Sequence, residues 1–114
     1  MRIGIFDHMD CAHRVQALDG CNQTHGHTYK VEVVLEGPVK DGLVMDFKEL
    51  RDVVRKALSK YDHKDLSDFF GVPSCENICQ ANFDDLKLGL PGLRLVRCWE
   101  GYNKWAETEV GGTR

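Results

Sequence analysis

The chain has 114 residues and a formal net charge of −3, with 42% hydrophobic and 29% charged residues. This size and balance predict one globular domain over residues 1–114 and disfavour a nucleic-acid binder, which would carry a basic patch. No apolar run reaches the ~20 residues that span a bilayer, the first residues show no signal-peptide pattern, and five cysteines are an odd number for a disulfide framework, so we expect a cytoplasmic protein.

Periodicity predicts two strands followed by a helix in the first half of the chain. Apolar residues alternate over 2–7 and again over 27–37, which is the period of a half-buried strand. From residue 46 the period changes to that of a helix, with an apolar stripe that continues to Tyr61. Asp46 is a suitable N-cap for this helix, because its carboxylate can accept amide hydrogens of the first turn.

The second half of the chain predicts another helix and two further strands. Ser74 can cap a helix over roughly 75–87, and alternation over 93–100 and 104–110 predicts a hairpin. The resulting order is β-β-α-α-β-β. Strands that segregate from helices in this way predict an α+β fold, in which an antiparallel sheet carries two helices on one face.

The sequence CNQTHGH, residues 21–27, suggests a metal site. Strand residues two apart share a face, so His25 and His27 project together if the strand begins near residue 25. Neutral imidazole suits zinc, and a catalytic zinc has three protein ligands. The spacing leaves the third ligand open among His8, Cys11, His13, Cys21 and His63. The alternative is a polar strand start with solvent-facing histidines.

Two further positions carry chemistry that the sequence permits. Asp62 directly precedes His63 at the predicted helix exit, and a carboxylate can orient an imidazole for acid–base catalysis. The alternative for this pair is a solvated helix terminus. Glu100 ends an apolar strand on the side of Val96 and Cys98, so its carboxylate needs a donor partner or a ligand that supplies donors. The alternative is an ordinary strand-end glutamate.

Taken in order, these motifs resemble one protein family. They are His13 in CAHRV, the spacing Cys21-x3-His25-Gly26-His27, GLVMDFKEL, Asp62-His63, PSCEN and VRCWE. This order resembles the 6-pyruvoyl-tetrahydropterin synthase / 6-carboxytetrahydropterin synthase family from residue 6 to about 109. The segment before His13 departs from the family, which more often has small residues there. This departure makes Cys11 a rival of Cys21 for the family's catalytic cysteine.

The resemblance implies a role for each matching residue. The zinc ligands would be His13, His25 and His27. The catalytic residues would be Cys21, Asp62 and His63, of which the last two form a proton-relay pair. The substrate-binding residues would be Glu100, Ser74 and Glu76, with Glu100 on the amino-pyrimidine edge of a pterin.

The resemblance also implies an assembly and a reaction. The family has the tunnelling fold, in which subunits form a barrel trimer, two trimers stack into a homohexamer, and active sites lie between subunits. The short spacing from Cys21 to His25 is similar to that of queuosine-pathway enzymes, which convert 7,8-dihydroneopterin triphosphate to 6-carboxy-5,6,7,8-tetrahydropterin, acetaldehyde and triphosphate. We therefore expect a zinc-dependent lyase with a small-molecule pterin substrate and neither a nucleic-acid nor a membrane partner.

Three alternatives remain open from the sequence. The first is 6-pyruvoyl-tetrahydropterin synthase activity, or another cleavage of a dihydropterin side chain, without release of acetaldehyde. The second is a non-catalytic homologue that binds zinc or a pterin. The third is a structural zinc site made of Cys21 with the histidines.

Overall fold

A four-stranded antiparallel sheet with two helices on one face forms the fold. The computed structural model describes residues 1–13 and 25–112, without the side chains of His13 and His25. The strands are β1 (Arg2–His13), β2 (His25–Glu36), β3 (Leu93–Glu100) and β4 (Lys104–Glu109), adjacent in that order. The helices are α1 (Phe47–Leu58) and α2 (Cys75–Gly89), and a short 3-10 helix spans Leu66–Asp68. The predicted fold class and element order are confirmed.

The first hairpin is longer than the alternation predicts. The expected first strand ends at residue 7, but β1 continues to His13, because Met9 and Cys11 extend its buried side and the whole strand pairs with β2. β2 likewise begins at His25 rather than residue 27. His13 is therefore the last residue of β1 instead of lying just past it, and its register partner is His25.

α1 begins where the sequence predicts and ends earlier. The Asp46 carboxylate accepts the amide hydrogen of Lys48 at 2.7 Å and that of Glu49 at 3.4 Å. The helix ends at Leu58 rather than near Tyr61, because the N–H groups of Tyr61 and of Asp62 both donate to the Leu58 carbonyl and close a turn. This turn directs the following segment toward β1.

The core lies between the helices and one face of the sheet. Fully buried side chains come from β2, β3 and both helices: Tyr29, Val31, Val33, Leu50, Val54, Leu58, Ile78, Leu86 and Val96. Phe47 is the exception on the predicted apolar stripe of α1, because its ring is exposed at the start of the helix. Among the described residues, neither helix has the length and apolar content to cross a membrane.

The segment that follows α1 covers the outer edge of β1 near the end of that strand. The His63 N–H donates to the Asp10 carbonyl at 2.7 Å, and the Ala12 N–H donates to the Lys64 carbonyl at 3.1 Å. An edge strand otherwise leaves such groups to water or to another chain. These backbone bonds hold Asp62 and His63 beside the end of β1.

Candidate active site

The adjoining ends of β1 and β2 bring the three predicted metal positions together. His13 is the register partner of His25, and His27 pairs with Cys11. Opposite residues of an antiparallel pair share a face, so positions 11, 13, 25 and 27 belong to one face of the sheet. The side chains of His13 and His25 lie outside the described part of the structure, and their ligation of a metal stays a prediction.

His27 and Glu100 come together at the end of the core face. The His27 ring meets the Tyr29 ring edge-on, with 5.9 Å between ring centroids. Its Nε2 lies 3.6 Å from Glu100 Oε1, and the two side chains are 24% and 23% exposed. Glu100 pairs with Tyr29 in register, which places it on the same side as Val96 and Cys98. An imidazole that can bind a metal and a carboxylate thus lie side by side, both partly buried, at the end of the core face.

Imidazoles at positions 13, 25 and 27 fit a zinc ion better than the other donor group near this end of the sheet. Within the described ranges, Asp10, Asp62 and His63 offer ligand atoms that lie within 4.8 Å of one another. However, Asp62 Oδ2 already accepts a hydrogen bond from the Arg55 guanidinium at 2.9 Å. A fixed cation beside the carboxylate disfavours a second one. The histidine positions instead offer imidazole nitrogen, which is a preferred zinc donor.

Asp62 and His63 are in contact in the turn that follows α1. His63 Nδ1 lies 3.1 Å from Asp62 Oδ1, and the side chains are 77% and 19% exposed, respectively. The His63 backbone has a φ of +62°, in the left-handed region that residues other than glycine rarely adopt. The imidazole is therefore presented to solvent while a mostly buried carboxylate holds one of its nitrogens. A proton-relay role for the pair stays a prediction.

A cavity of about 530 Å³ opens at this end of the sheet. Its lining includes Cys11, His27, Thr28, His63, Lys64 and Asp65. Neighbouring strand residues alternate between faces, so Thr28 lies on the opposite face from His27 and the cavity wraps around the strand ends. This volume suits a small-molecule ligand. His27 and His63 thus border the same space.

The structure disfavours Cys11 as the reactive cysteine. Cys11 is buried, and its thiol donates to the Tyr61 carbonyl at 3.3 Å. Burial, together with the charges of Asp62 and Asp10, raises the pKa of the Cys11 thiol to about 12. A protonated, buried thiol is a poor base or nucleophile. Cys21 itself lies outside the described residues, so its catalytic role stays a prediction.

Comparison with known proteins identifies the family. A family model described as 6-pyruvoyl tetrahydropterin synthase matches residues 2–110. The chain belongs to this family.

Three similar proteins carry three different activities in their names. A protein of Archaeoglobus fulgidus, provisionally named 6-carboxy-5,6,7,8-tetrahydropterin synthase, is 40% identical over 108 residues and 94% of each chain. The dihydroneopterin monophosphate aldolase of Pyrococcus furiosus is 37% identical over 103 residues, covering 88% of this chain and 90% of its own. The structure of Caenorhabditis elegans 6-pyruvoyl tetrahydropterin synthase superposes with a TM-score of 0.87 at 26% identity, over 96% of this chain and 94% of that one. Membership implies a pterin substrate and the tunnelling fold.

For a pterin synthase family member, the start of α2 is a second region of interest. The Ser74 hydroxyl accepts the Asn77 N–H at 3.1 Å and so caps the helix, while Glu76 is exposed in the first turn. The Cys75 thiol donates to the Cys98 carbonyl at 3.3 Å, which places this turn beside the end of β3 and close to Glu100. Neither Ser74 nor Glu76 lines the 530 Å³ cavity. Their contact with substrate stays a prediction.

The structure also places Thr28 and Arg55 at the candidate active site, which the sequence did not indicate. Thr28 donates to Asp10 Oδ1 at 2.6 Å across the strand pair, and Arg55 contacts Asp62 from α1. Arg55 lies off the apolar stripe of its helix, so it looks like an ordinary solvated arginine in the sequence. The seven-residue separation of Arg55 and Asp62 is a faint signal, because residues seven apart share a face only where one helix continues through both, and α1 ends at Leu58.

Proposed function

We propose that this chain is a zinc-dependent lyase that converts 7,8-dihydroneopterin triphosphate and water to 6-carboxy-5,6,7,8-tetrahydropterin, acetaldehyde and triphosphate, as in queuosine biosynthesis. The name of the Archaeoglobus fulgidus relative supports this activity. The structural observation that carries the proposal is the strand register. It pairs position 13 with position 25, and His27 follows on the same face, at a cavity that His63 also lines.

In this assignment the three histidines bind the cofactor and two other groups move protons. His13, His25 and His27 hold zinc, which when bound supplies Lewis-acid polarisation of the side-chain oxygens of the substrate. The His63 imidazole, held through Nδ1 by Asp62, uses Nε2 to accept or donate a proton. Cys21 is the second acid–base group. The mostly buried Asp62 carboxylate keeps the imidazole in place for this transfer.

Glu100 orients the pterin ring in this assignment. The amino-pyrimidine edge of a pterin offers two N–H donors side by side, which suits the two oxygens of one carboxylate. Glu100 is partly buried and close to His27, so a ring bound there has its side chain directed to the metal positions. Ser74 and Glu76 contact the pterin from the start of α2, beside the end of β3 and outside the lining of the 530 Å³ cavity. The functional assembly is a homo-oligomer, a trimer or a dimer of trimers, with sites between subunits.

A second candidate is a dihydroneopterin monophosphate aldolase. The observation that favours it is the name and long match of the Pyrococcus furiosus relative. In a retro-aldol reaction a base removes the proton of the C2′ hydroxyl, the C1′–C2′ bond breaks, and an acid protonates C1′. The products are 6-hydroxymethyl-7,8-dihydropterin and glycolaldehyde phosphate. His63 and Cys21 supply the same kinds of groups to both reactions, so the residues alone do not separate the two candidates.

Product analysis separates them. The zinc-loaded protein is incubated anaerobically with 7,8-dihydroneopterin triphosphate and, separately, with the monophosphate, and products are identified by mass spectrometry. We expect carboxytetrahydropterin and acetaldehyde from the triphosphate. Hydroxymethyldihydropterin from the monophosphate would establish the aldolase instead, and a pyruvoyl product without acetaldehyde would establish the sister synthase. A lack of any new pterin from both substrates would contradict the proposed function.

A further inference from the structure

Arg55 joins α1, β1 and the turn that carries His63. Its Nη2 donates to Asp62 Oδ2 at 2.9 Å, and its Nη1 donates to Asp7 Oδ1 at 3.3 Å and to the His8 carbonyl at 3.2 Å. We propose that Arg55 is a positioning residue, which fixes the Asp62 carboxylate so that His63 keeps its proton on Nδ1 and offers Nε2 to substrate. The catalytic consequence rests on the proposed function, in which His63 transfers a proton.

The Asp62 carboxylate is held on both oxygens before His63 contributes. Oδ2 accepts from the Arg55 guanidinium, and Oδ1 accepts from the Asp10 N–H at 2.9 Å. Two donors on separate oxygens fix the plane of a carboxylate. In that orientation Oδ1 is 3.1 Å from His63 Nδ1. An ionised carboxylate can only accept, so the proposal places the His63 proton on Nδ1 and leaves Nε2 as the acceptor.

Charge gives a second reason why the orientation depends on Arg55. Asp7 and Asp62 both contact its guanidinium, and the carboxylate of Asp10 lies within 4.8 Å of the ligand atoms of Asp62 and His63. Without the guanidinium, carboxylates of like charge are left close together in a partly buried corner, and repulsion turns Asp62 away from its place. Lys64 and Asp65 are the other charged residues of this segment. Among the described hydrogen bonds and ion pairs, neither contacts Asp62.

Arg55 also ties α1 to β1 through Asp7, so a test must separate positioning from support of the fold. Asp7→Asn is the matched control. It removes the carboxylate charge on the other side of the guanidinium and leaves the contact between Arg55 and Asp62 in place. Arg55→Met removes both. Equal melting temperatures of the two variants establish that they are equally well folded.

The kinetic test is a double-variant cycle on the reaction that the wild-type protein catalyses. Arg55→Met is expected to lower kcat roughly tenfold with little change in KM, because Arg55 orients a proton-transfer group and does not itself contact the substrate. Asp7→Asn should stay within about twofold of wild type, and Asp62→Asn/Arg55→Met should be no slower than Asp62→Asn alone, because Arg55 acts through Asp62. Equal losses in Arg55→Met and Asp7→Asn, or losses that multiply in the double variant, would overturn the proposal.

A spectroscopic test needs no turnover. The ¹⁵N shifts of the neutral His63 ring, assigned by their loss in His63→Asn, report which nitrogen carries the proton. We expect protonated Nδ1 in the wild type and in Asp7→Asn, and loss of this preference in Arg55→Met. The same tautomer in Arg55→Met as in the wild type would overturn the positioning role. If the wild type converts neither pterin, the proposed function fails while this result still decides the role of Arg55.

Discussion

His63 is held in a backbone conformation that few side chains tolerate. Its φ of +62° is maintained by its own N–H bond to Asp10 and by the neighbouring bond between Ala12 and Lys64. A strained conformation that the surrounding structure maintains is common at functional sites. The strained backbone at His63 therefore agrees with a functional role for its imidazole.

The first prediction uses this conformation. Asn tolerates the left-handed region, so His63→Asn removes the imidazole without added backbone strain. We expect kcat to fall by roughly 10²–10⁴-fold, the usual contribution of a general acid or base, with an unchanged melting temperature. Steady-state kinetics and thermal denaturation measure the two effects. A variant that keeps more than half of the wild-type kcat would exclude His63 from proton transfer.

A second prediction concerns the cysteines. A hydrogen bond with the Cys98 thiol lowers the pKa of Cys75, whereas burial raises the pKa of Cys79 to about 11 and that of Cys11 to about 12. Cys75 is also less buried than these neighbours. Because the thiolate is the reactive form, iodoacetamide at mildly alkaline pH should label Cys75 first among the four described cysteines. Peptide mass spectrometry gives the order, and faster labelling of Cys11 would contradict the described burial.

At the residue scale, the sequence predicts the identity of candidate groups better than their contacts. The side of the sheet that Glu100 occupies follows from alternation with Val96 and Cys98, and the structure agrees. The contact between Asp62 and His63 depends on the turn after α1 and on its bonds to β1. Both are long-range features that no local pattern contains. The same reason hides Arg55, which meets its partners only after α1 packs beside β1.

At the scale of elements, Ser74 at the start of α2 has two possible roles. Ser74 is the N-cap, and it is also a predicted substrate contact. Ser74→Ala should reduce the free energy of unfolding by about 1 kcal/mol, whereas Ser74→Asp keeps a capping oxygen and should reduce it little. Chemical denaturation measures both. Equal stability of Ser74→Ala and wild type would contradict the capping role.

The same pair of variants tests the substrate role of Ser74. If the hydroxyl also contacts the pterin, both variants raise KM, including the one that keeps the cap. If KM rises only in Ser74→Ala, the effect follows from the stability of α2 and not from a lost contact. The Asp variant therefore separates capping from binding.

Element boundaries show where local pattern stops being informative. Asp7 interrupts the apolar side of the first strand, so alternation predicts an early end. In the structure Asp7 pairs with Arg55, and Met9 and Cys11 resume the buried side beyond it. The end of α1 shifts for a comparable reason, because the turn at Leu58 is set by the docking of residues 62–65 on β1. Tertiary contacts thus decide both boundaries, while hydrophobic period decides the elements themselves.

At the scale of the whole molecule, the sheet face without helices carries a row of large side chains. His8, Lys30, Trp99 and Trp105 are register partners across all four strands. Trp105 is 52% exposed, and Phe6 on the same face is also exposed. The family resemblance predicts an oligomeric barrel. Exposed aromatic side chains often mark an interface, so we expect this sheet face to be covered on self-association.

Sedimentation equilibrium tests this prediction. We expect a mass three or six times that of the 13.0 kDa chain. Trp105→Asp should weaken the association, because it places a charge on the sheet face. Leu88→Asp is the matched control, since Leu88 is exposed on α2 and away from that face. A wild-type protein that sediments as a monomer would contradict the predicted assembly.

The metal positions at the adjoining ends of β1 and β2 are central to the proposed function. The direct measurement is the zinc content per chain, by inductively coupled plasma mass spectrometry after dialysis, in wild type, His27→Gln and Asp62→Asn. We predict one zinc per chain in the wild type and in Asp62→Asn, and loss of zinc in His27→Gln. Zinc retained in His27→Gln, or lost in Asp62→Asn, would show that the metal is bound elsewhere and would contradict the assignment of His13, His25 and His27.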